Sequence, residues 1–149
     1  MIEPRRGGPD WLASISKVAE HGSWPKLRCG GVSAENFPSV KEVADFLAVI
    51  NDGGASFKAT AGLHNAVRHT DPRTGFTHHG FLNMLVATGR ALSGGDVREA
   101  LASTDSEALA KEAGALSDQA QHAERSVFAS YGSCSLTDPI TDLSALGLL

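Results

Sequence analysis

The sequence predicts an α/β fold in which short parallel strands alternate with helices. Two segments, KLRCGG at 26–31 and FKATAG at 57–62, each carry a lysine shortly before a glycine and are typical of brief strands that stop at the glycine. An amphipathic helical pattern lies between them at 38–50, so the spacing suits one strand–helix–strand crossover with the two strands parallel and adjacent. We therefore expect a partial (β/α) barrel-like fold or a small open parallel sheet flanked by helices.

Length and composition indicate a single domain over residues 1–149, with a flexible Pro/Gly-rich lead at 1–10 and a globular body at 11–149. The formal net charge of −4 gives no reason to expect nucleic acid or acidic membranes as partners. No apolar run approaches the length of a membrane span. The N-terminus lacks the apolar core of a secretory signal and the cysteines are isolated, so we expect a cytoplasmic protein.

Two helices are predicted in the first third of the chain. An apolar stripe that begins at Trp11 predicts a short helix that ends near Gly22. The helix at 38–50 has stronger signals, because Ser39 is a good N-cap residue and Glu42 stands three residues later, as in a capping box. Its apolar residues recur at the spacing of one helix face.

Further elements are predicted along the rest of the chain. The segment HHGFLNMLVATGRAL, at 78–92, is helical by composition, and the following glycine pair stops it. The remaining elements are helical pieces at 96–102, 105–113 and 117–125, a third strand at 126–131 and a short apolar helix at 140–149.

Charged and polar side chains alternate with apolar ones along both predicted strands. Lys26 and Arg28 share one face of the first strand, and Lys58 and Thr60 share one face of the second. Adjacent parallel strands would gather these residues on a common side, where unpaired buried cations are costly. One interpretation is a cationic cleft for an anionic metabolite at the carboxyl ends of the strands.

The other interpretation is an open sheet whose charged face meets solvent or pairs with acids from another element. Few acids stand near these strands in the sequence. The nearest candidates are Glu35, Asp71 and Asp138.

Two residues of the second strand and the segment after it are candidates for chemistry. Lys58, with other cations around it, is a candidate for Schiff-base formation with a carbonyl substrate. His64 is a candidate general acid or base, and its alternative role is a structural histidine bonded to a loop. Four histidines follow this strand, but none of their spacings matches a metal-binding signature, so we expect no metal, with a metal-binding role as the alternative.

Two loops of small residues are candidates for binding a phosphate or carboxylate group. Gly30 and Gly31 follow the first strand, and Ser133 and Ser135 belong to the loop GSCS after the third. Backbone amides and hydroxyls in such loops can hold an anion. The same residues also serve ordinary tight turns.

The chain resembles the C-terminal half of a family of longer, uncharacterised bacterial proteins, mainly from actinobacteria, in the strings KLRCGGV, FKATAGLHNAVRH, HHGFLNMLV and FASYGSCSLTDPITDLSALGLL. Members often have a second histidine where this chain has Asn65, which argues against a paired-histidine metal site here. The resemblance implies the last strands of a (β/α) barrel-like fold and carries no established activity. The lysine-bearing strand ends are also similar, more distantly, to those of Schiff-base aldolases of barrel fold.

These observations predict an enzyme of the lyase or isomerase type that acts on a small anionic carbonyl metabolite and needs no cofactor. Lys26 and Arg28 would bind the anion, Lys58 would hold the carbonyl group, and His64 would move the proton. The alternative is a non-catalytic half-barrel that binds a ligand or completes a partner subunit. A charged strand face enclosed within the isolated chain would favour the enzyme, and one open to solvent would favour the half-barrel.

The sequence also predicts an assembly. A sheet of three parallel strands leaves backbone donors and acceptors unpaired along its edges, and a twofold homodimer or a complementing subunit would cover them. We predict a homodimer at micromolar concentration, with residues 143–149 packed against the body. Sedimentation equilibrium checks this, since a folded monomer near 15.5 kDa that is unchanged on dilution would contradict it.

Overall fold

The protein is a mixed α/β structure built on a small parallel sheet. The computed structural model describes residues 1–115 and 118–149, except for the side chains of residues 118 and 119. The central sheet has three parallel strands in the order β1 (Lys26–Arg28), β2 (Phe57–Thr60) and β5 (Phe128–Tyr131). The α/β prediction, the three strands and the parallel crossover between the first two are confirmed.

Seven α-helices surround the sheet within the described residues. They are α1 (Trp11–Glu20), α2 (Val40–Asp52), α3 (Phe81–Ser93), α4 (Val97–Ala102), α5 (Ser106–Gly114), α6 (Asp118–Val127) and α7 (Thr137–Ala145). The capping box predicted at the start of α2 is present, with Ser39 and Glu42 bonding each other's backbone N–H. Across the described residues, no helix combines the length and the apolar character that a membrane crossing requires.

The helix predicted at 78–92 begins later than the sequence indicated. His78 belongs instead to a two-stranded antiparallel hairpin, β3 (His69–Thr70) and β4 (Thr77–His78), where it lies opposite His69. Gly80 then has an extended backbone and passes so close to Ala66 that a Cβ would lie 2.2 Å from its carbonyl oxygen. Composition favoured helix across the whole segment, but these tertiary contacts hold its first residues extended.

Two other predicted boundaries shift. The last helix runs over Thr137–Ala145 rather than 140–149. The helical piece expected at 117–125 is observed as Asp118–Val127, with Ser117 outside the described residues. Leu143, Leu146 and Leu148 nevertheless pack against the core, as predicted for the end of the chain.

One face of the sheet forms the centre of the core. Leu27, Phe57 and Ala59 are fully or almost fully buried there. The Phe57 ring stacks on Phe128 at a centroid distance of 5.0 Å and meets the edge of Phe46 from α2 at 5.2 Å. Such aromatic pairs add to the burial of apolar area, so this cluster joins the sheet to the helices.

The N-terminal lead, residues 1–10, contacts the sheet near its start. Ile2 forms a parallel bridge with Pro25, and its N–H donates to the Trp24 carbonyl at 3.0 Å while its carbonyl accepts from Lys26 at 2.8 Å. Arg6 forms an ion pair with Glu42 at 2.7 Å. The outer edge of β1 is therefore partly paired by the chain itself.

Close backbone contact joins the carboxyl ends of β1 and β2. A Cβ on Gly62 would lie 2.6 Å from the Cys29 carbonyl oxygen, and a Cβ on Gly30 would lie 2.8 Å from the Gly62 Cα. Gly62 has φ of 74°, and the preceding Ala61 has φ of 60°, a region that non-glycine residues rarely occupy. Two consecutive left-handed residues turn the chain sharply where β2 ends.

We expect Gly62→Ala to destabilise the protein much more than Gly54→Ala. Both glycines have positive φ, but a Cβ at Gly54 meets open space. Gly54→Ala should lower the free energy of unfolding by about 1 kcal/mol through backbone strain alone. Gly62→Ala should cost roughly 1–3 kcal/mol more because the methyl group clashes with backbone. Urea unfolding measures both, and equal losses would refute the close-contact argument.

Candidate functional site

The register of the sheet brings the predicted polar residues together on its second face. Lys26 is paired with Lys58, and Arg28 is paired with Thr60. Lys58, Thr60 and Lys26 are half-buried, whereas Arg28 is exposed. The two strands therefore align their lysines, as the alternation in the sequence indicated.

A register shift extends this polar row onto β5. Phe57 pairs with Phe128, but the next residue, Lys58, pairs with Ser130, so Ala129 is skipped. Without the extra residue, Ala129 would lie beside Lys58 and Ser130 would point into the core. The bulge adds a hydroxyl to the row of Lys26 and Lys58, and no periodicity in the sequence predicts it.

The acid that offsets the strand cations is Glu3, from the N-terminal lead. Its carboxylate lies 3.3 Å from the Lys26 ammonium and 2.7 Å from the Arg28 guanidinium. Partial burial alone would raise the pKa of Glu3, but the bonds and charges of Arg28 and Lys26 hold it below its ordinary value. The acid that pairs with these cations is therefore none of the three expected from neighbouring loops, Glu35, Asp71 and Asp138.

A hollow of about 400 Å³ lies beside β1. Lys26 and Arg28 line it together with two arginines of the lead, Arg5 and Arg6, and Glu3 and Glu35 are among its acidic residues. Lys58 is not among its lining residues. The cleft around β1 and the lysine of β2 are thus neighbouring features of one sheet rather than one enclosed pocket.

His64 is held at the strand ends by the loop after β5. Its Nδ1 lies 3.0 Å from the Ser133 Oγ. The single Ser133 hydroxyl proton is directed to the Ser135 carbonyl at 2.7 Å, because that oxygen can only accept. Nδ1 must therefore donate to Ser133, which leaves Nε2 of the neutral ring unprotonated and available as a base.

Two more histidines lie close to the end of β2. His69 and His78 stack with ring centroids 5.1 Å apart, and the ring nitrogen Nδ1 of His78 lies 3.4 Å from the Gly62 carbonyl. Burial, and secondarily the charges of His69 and His64, lower the pKa of His78, although the Gly62 carbonyl acts in the opposite direction. Within the described residues, no group of three or more His, Cys, Asp or Glu side chains has the arrangement of a metal site.

His79 has a structural role. It is fully buried, its Nε2 lies 2.8 Å from the Pro38 carbonyl, and its Nδ1 lies 3.2 Å from the Arg68 guanidinium. Burial lowers its pKa to about 4, so the ring is neutral at physiological pH. In the neutral ring Nε2 therefore donates to the Pro38 carbonyl and Nδ1 accepts from Arg68. This tautomer is the opposite of that of His64, in which Nδ1 carries the proton.

The remaining predicted site residues have local structural partners. The Thr60 hydroxyl donates to the Leu27 carbonyl at 3.5 Å, and the Ser135 hydroxyl accepts from the Asp138 N–H at 3.1 Å. Gly30 is required for the contact with Gly62, and a Cβ on Gly31 would lie 2.6 Å from the Asn36 side chain. Contacts of this kind are typical of ordinary turns and strand ends, which is the alternative to anion binding for the small-residue loops.

Sequence reasoning missed three members of this region. Glu3 was overlooked because it lies 23 residues before Lys26 in a segment expected to be loose. Ser130 was overlooked because the bulge shifts the alternation. The pairing of His64 with Ser133 joins two loops 69 residues apart, and no local signal indicates it.

Comparison with known protein families, with curated proteins and with solved structures finds no match to this chain. The resemblance to longer actinobacterial barrel-like proteins therefore stays a prediction.

The tautomer of His64 is directly measurable. We expect long-range ¹H–¹⁵N spectra at pH 8 to show Nδ1 protonated and Nε2 bare in the neutral ring. Ser133→Ala should shift the population toward the Nε2–H form, because the acceptor of the Nδ1 proton is lost. Ser135→Ala is the matched control, since only the backbone of Ser135 contacts Ser133. An unchanged tautomer in Ser133→Ala would contradict the assignment.

Proposed function

We propose that this chain supplies the reactive wall of a site for a small carbonyl compound that bears a carboxylate or phosphate. The observation that carries the proposal is the parallel register, which aligns Lys26, Lys58 and Ser130 in one row across three strands. His64 follows β2 by a few residues and keeps a bare Nε2. Arg28 and Thr60, two residues after the lysines of the row, end β1 and β2, and the carboxyl ends of parallel strands are where α/β folds bind their ligands.

Anion recognition is assigned to the hollow beside β1. Four cations, Arg5, Arg6, Lys26 and Arg28, line it. They face the carboxylates of Glu3 and Glu35 in the lining and that of Glu42, which pairs with Arg6, so one positive charge is left over. The excess of positive charge suits an anionic group, and guanidinium forks bind carboxylate and phosphate in a bidentate manner. The substrate's carbonyl would then extend from β1 toward β2.

The proposed reaction proceeds through Lys58. The Lys58 ammonium first gives a proton to His64 Nε2, and its neutral amine attacks the carbonyl carbon to form a carbinolamine. His64 returns that proton to the carbinolamine hydroxyl as water leaves, which gives a protonated Schiff base and restores the neutral imidazole. The iminium nitrogen then accepts the electron pair of an adjacent C–H or C–C bond as an enamine forms. His64 Nε2 takes the proton in that step and returns it later, and hydrolysis releases the product and restores Lys58.

A second candidate function is a non-catalytic subunit, and the ion pairs of Glu3 favour it. Lys26 and Arg28 are already offset by Glu3 at 3.3 Å and 2.7 Å, as expected for a charged face that is stabilised within the chain. In that case the polar sheet face would form one half of a barrel interior that a second copy or another subunit completes. Trapping the covalent intermediate separates this candidate from the enzyme.

Borohydride trapping tests the enzymatic proposal. The 149-residue protein is incubated with a panel of small keto acids and phosphorylated aldehydes or ketones and then reduced with sodium borohydride, which converts an iminium to a stable secondary amine. We expect an adduct on Lys58, read by intact mass and peptide mapping, with at least tenfold less adduct in Lys58→Arg.

Lys41→Arg is the matched control, because Lys41 is an exposed lysine on α2 paired with Asp45 at 2.6 Å. It should retain the full yield of adduct. Absence of any Lys58 adduct across the panel, or equal labelling of surface lysines, would exclude the Schiff-base mechanism and leave the non-catalytic subunit.

A further inference from the structure

A buried carboxyl group lies on the helical side of the protein, away from the polar row. Glu124 of α6 is only 2% exposed, and its Oε2 has no hydrogen-bond partner within the described part of the chain. A buried carboxylate without a partner costs several kcal/mol, which proteins normally avoid by protonation, pairing or binding. Glu124 therefore needs an explanation that the sheet face does not provide.

The neighbouring helix is shaped to accept this carboxyl group. A Cβ on Gly89, in the middle of α3, would lie 1.9 Å from the Glu124 Oε1. A glycine inside a helix lowers stability by about 0.5–1 kcal/mol relative to alanine. Because Gly89 has no side chain, the Glu124 carboxyl group fits against α3 at this position. We call this space between Gly89 and Glu124 the recess.

The charged groups around the recess do not neutralise it. Glu112 of α5 is close enough to raise the pKa of Glu124 further, after burial, to about 7. Arg90 of α3 is already bound to Glu112 by two contacts of 2.9 Å and 2.8 Å. Arg125 follows Glu124 on α6 but is exposed, and among the described side chains no ion pair to Glu124 is formed.

A hollow of about 340 Å³ adjoins the recess, and Glu124 belongs to its lining. The other walls come mostly from aliphatic residues of α3 and the end of the chain, chiefly Leu82, Leu85, Leu143 and Leu148. Ala113 and Gly114 of α5 and two polar residues of α6, Gln121 and the exposed Arg125, complete the lining. Its volume lies at the small end of the range for sites that bind small molecules. Mostly apolar walls with a small number of polar groups are the usual composition of such sites.

We propose that this hollow binds a small organic ammonium ion with an apolar body, whose charged nitrogen pairs with Glu124. The aliphatic walls match an alkyl or aryl-alkyl chain, and the unpartnered carboxylate oxygen matches an N–H donor. Oε2 is closed off from water in this conformation. Binding therefore requires the Glu124 carboxyl to turn toward the hollow, and the terminal torsion of glutamate is soft enough to allow this. This site is separate from the strand-end site and does not rest on the function proposed there.

Binding of an ammonium ion requires the ionised form of Glu124, so it is linked to proton release. Because burial raises the pKa of Glu124 to about 7, part of the free carboxyl is protonated at neutral pH, and binding should release a fraction of a proton. At pH 8.5 the carboxyl is already ionised and release should vanish. Titration calorimetry in buffers of different ionisation enthalpy measures this number.

The test compares three probes of equal chain length on the 149-residue protein: hexylammonium, 1-hexanol and hexanoate. We expect hexylammonium to bind with a Kd at least about tenfold lower than the other two, the minimum for a charge-assisted hydrogen bond of roughly 1.5 kcal/mol. Glu124→Gln should lose that preference. Glu107→Gln, which changes an exposed carboxyl of α5 outside the hollow's lining, is the control and should keep it.

Circular dichroism and thermal unfolding establish that each variant is folded, and Glu124→Gln should fold well because it removes a buried charge. Equal binding of hexylammonium and 1-hexanol would show an apolar hollow without an ammonium site. Unchanged preference in Glu124→Gln, or no binding of any probe to the folded protein, would equally overturn the proposal. None of these results bears on the Lys58 adduct.

Discussion

The contact between Gly30 and Gly62 fixes how β1 and β2 lie side by side. A Cβ on either glycine would clash with backbone atoms of the segment that contains the other glycine. Because the ends of the strands are locked in this way, Lys26 stays level with Lys58. The left-handed turn through Ala61 and Gly62 then redirects the chain, so that His64 returns over the strand ends to meet Ser133.

The sheet has two faces with opposite requirements. The face toward the helices is dominated by aromatic contacts, with Phe57 between Phe46 and Phe128. The other face carries two lysines and an arginine, which a purely apolar environment would not tolerate. The N-terminal lead solves part of this problem, because it pairs with the edge of β1 and brings Glu3 to Lys26 and Arg28.

Buried polar groups tie the helices to the loops, and they differ in how fully they are satisfied. Asn83 of α3 accepts the Arg68 N–H at 2.7 Å and donates to the carbonyls of Ala100 and Ser103, each at 2.8 Å. It therefore fixes the loop before the hairpin and the end of α4 at once. Glu124 stands apart, since one of its oxygens has no partner in the described chain. This contrast, rather than burial alone, is what marks Glu124 as unusual.

The sequence by itself determined the class of fold, the order of the main elements and the face on which Lys26, Arg28 and Lys58 lie. The periodicity of apolar residues and capping residues such as Ser39 are local properties of the sequence, and the elements that they predict are present in the folded protein. Only the tertiary structure decided that His78 lies in a strand and that a bulge turns Ser130 to the polar face. The same holds for the ion pairs of Glu3 and for the hydrogen bond between His64 and Ser133. These features depend on contacts between segments far apart in the chain, and their energies come from packing and pairing that no local period encodes.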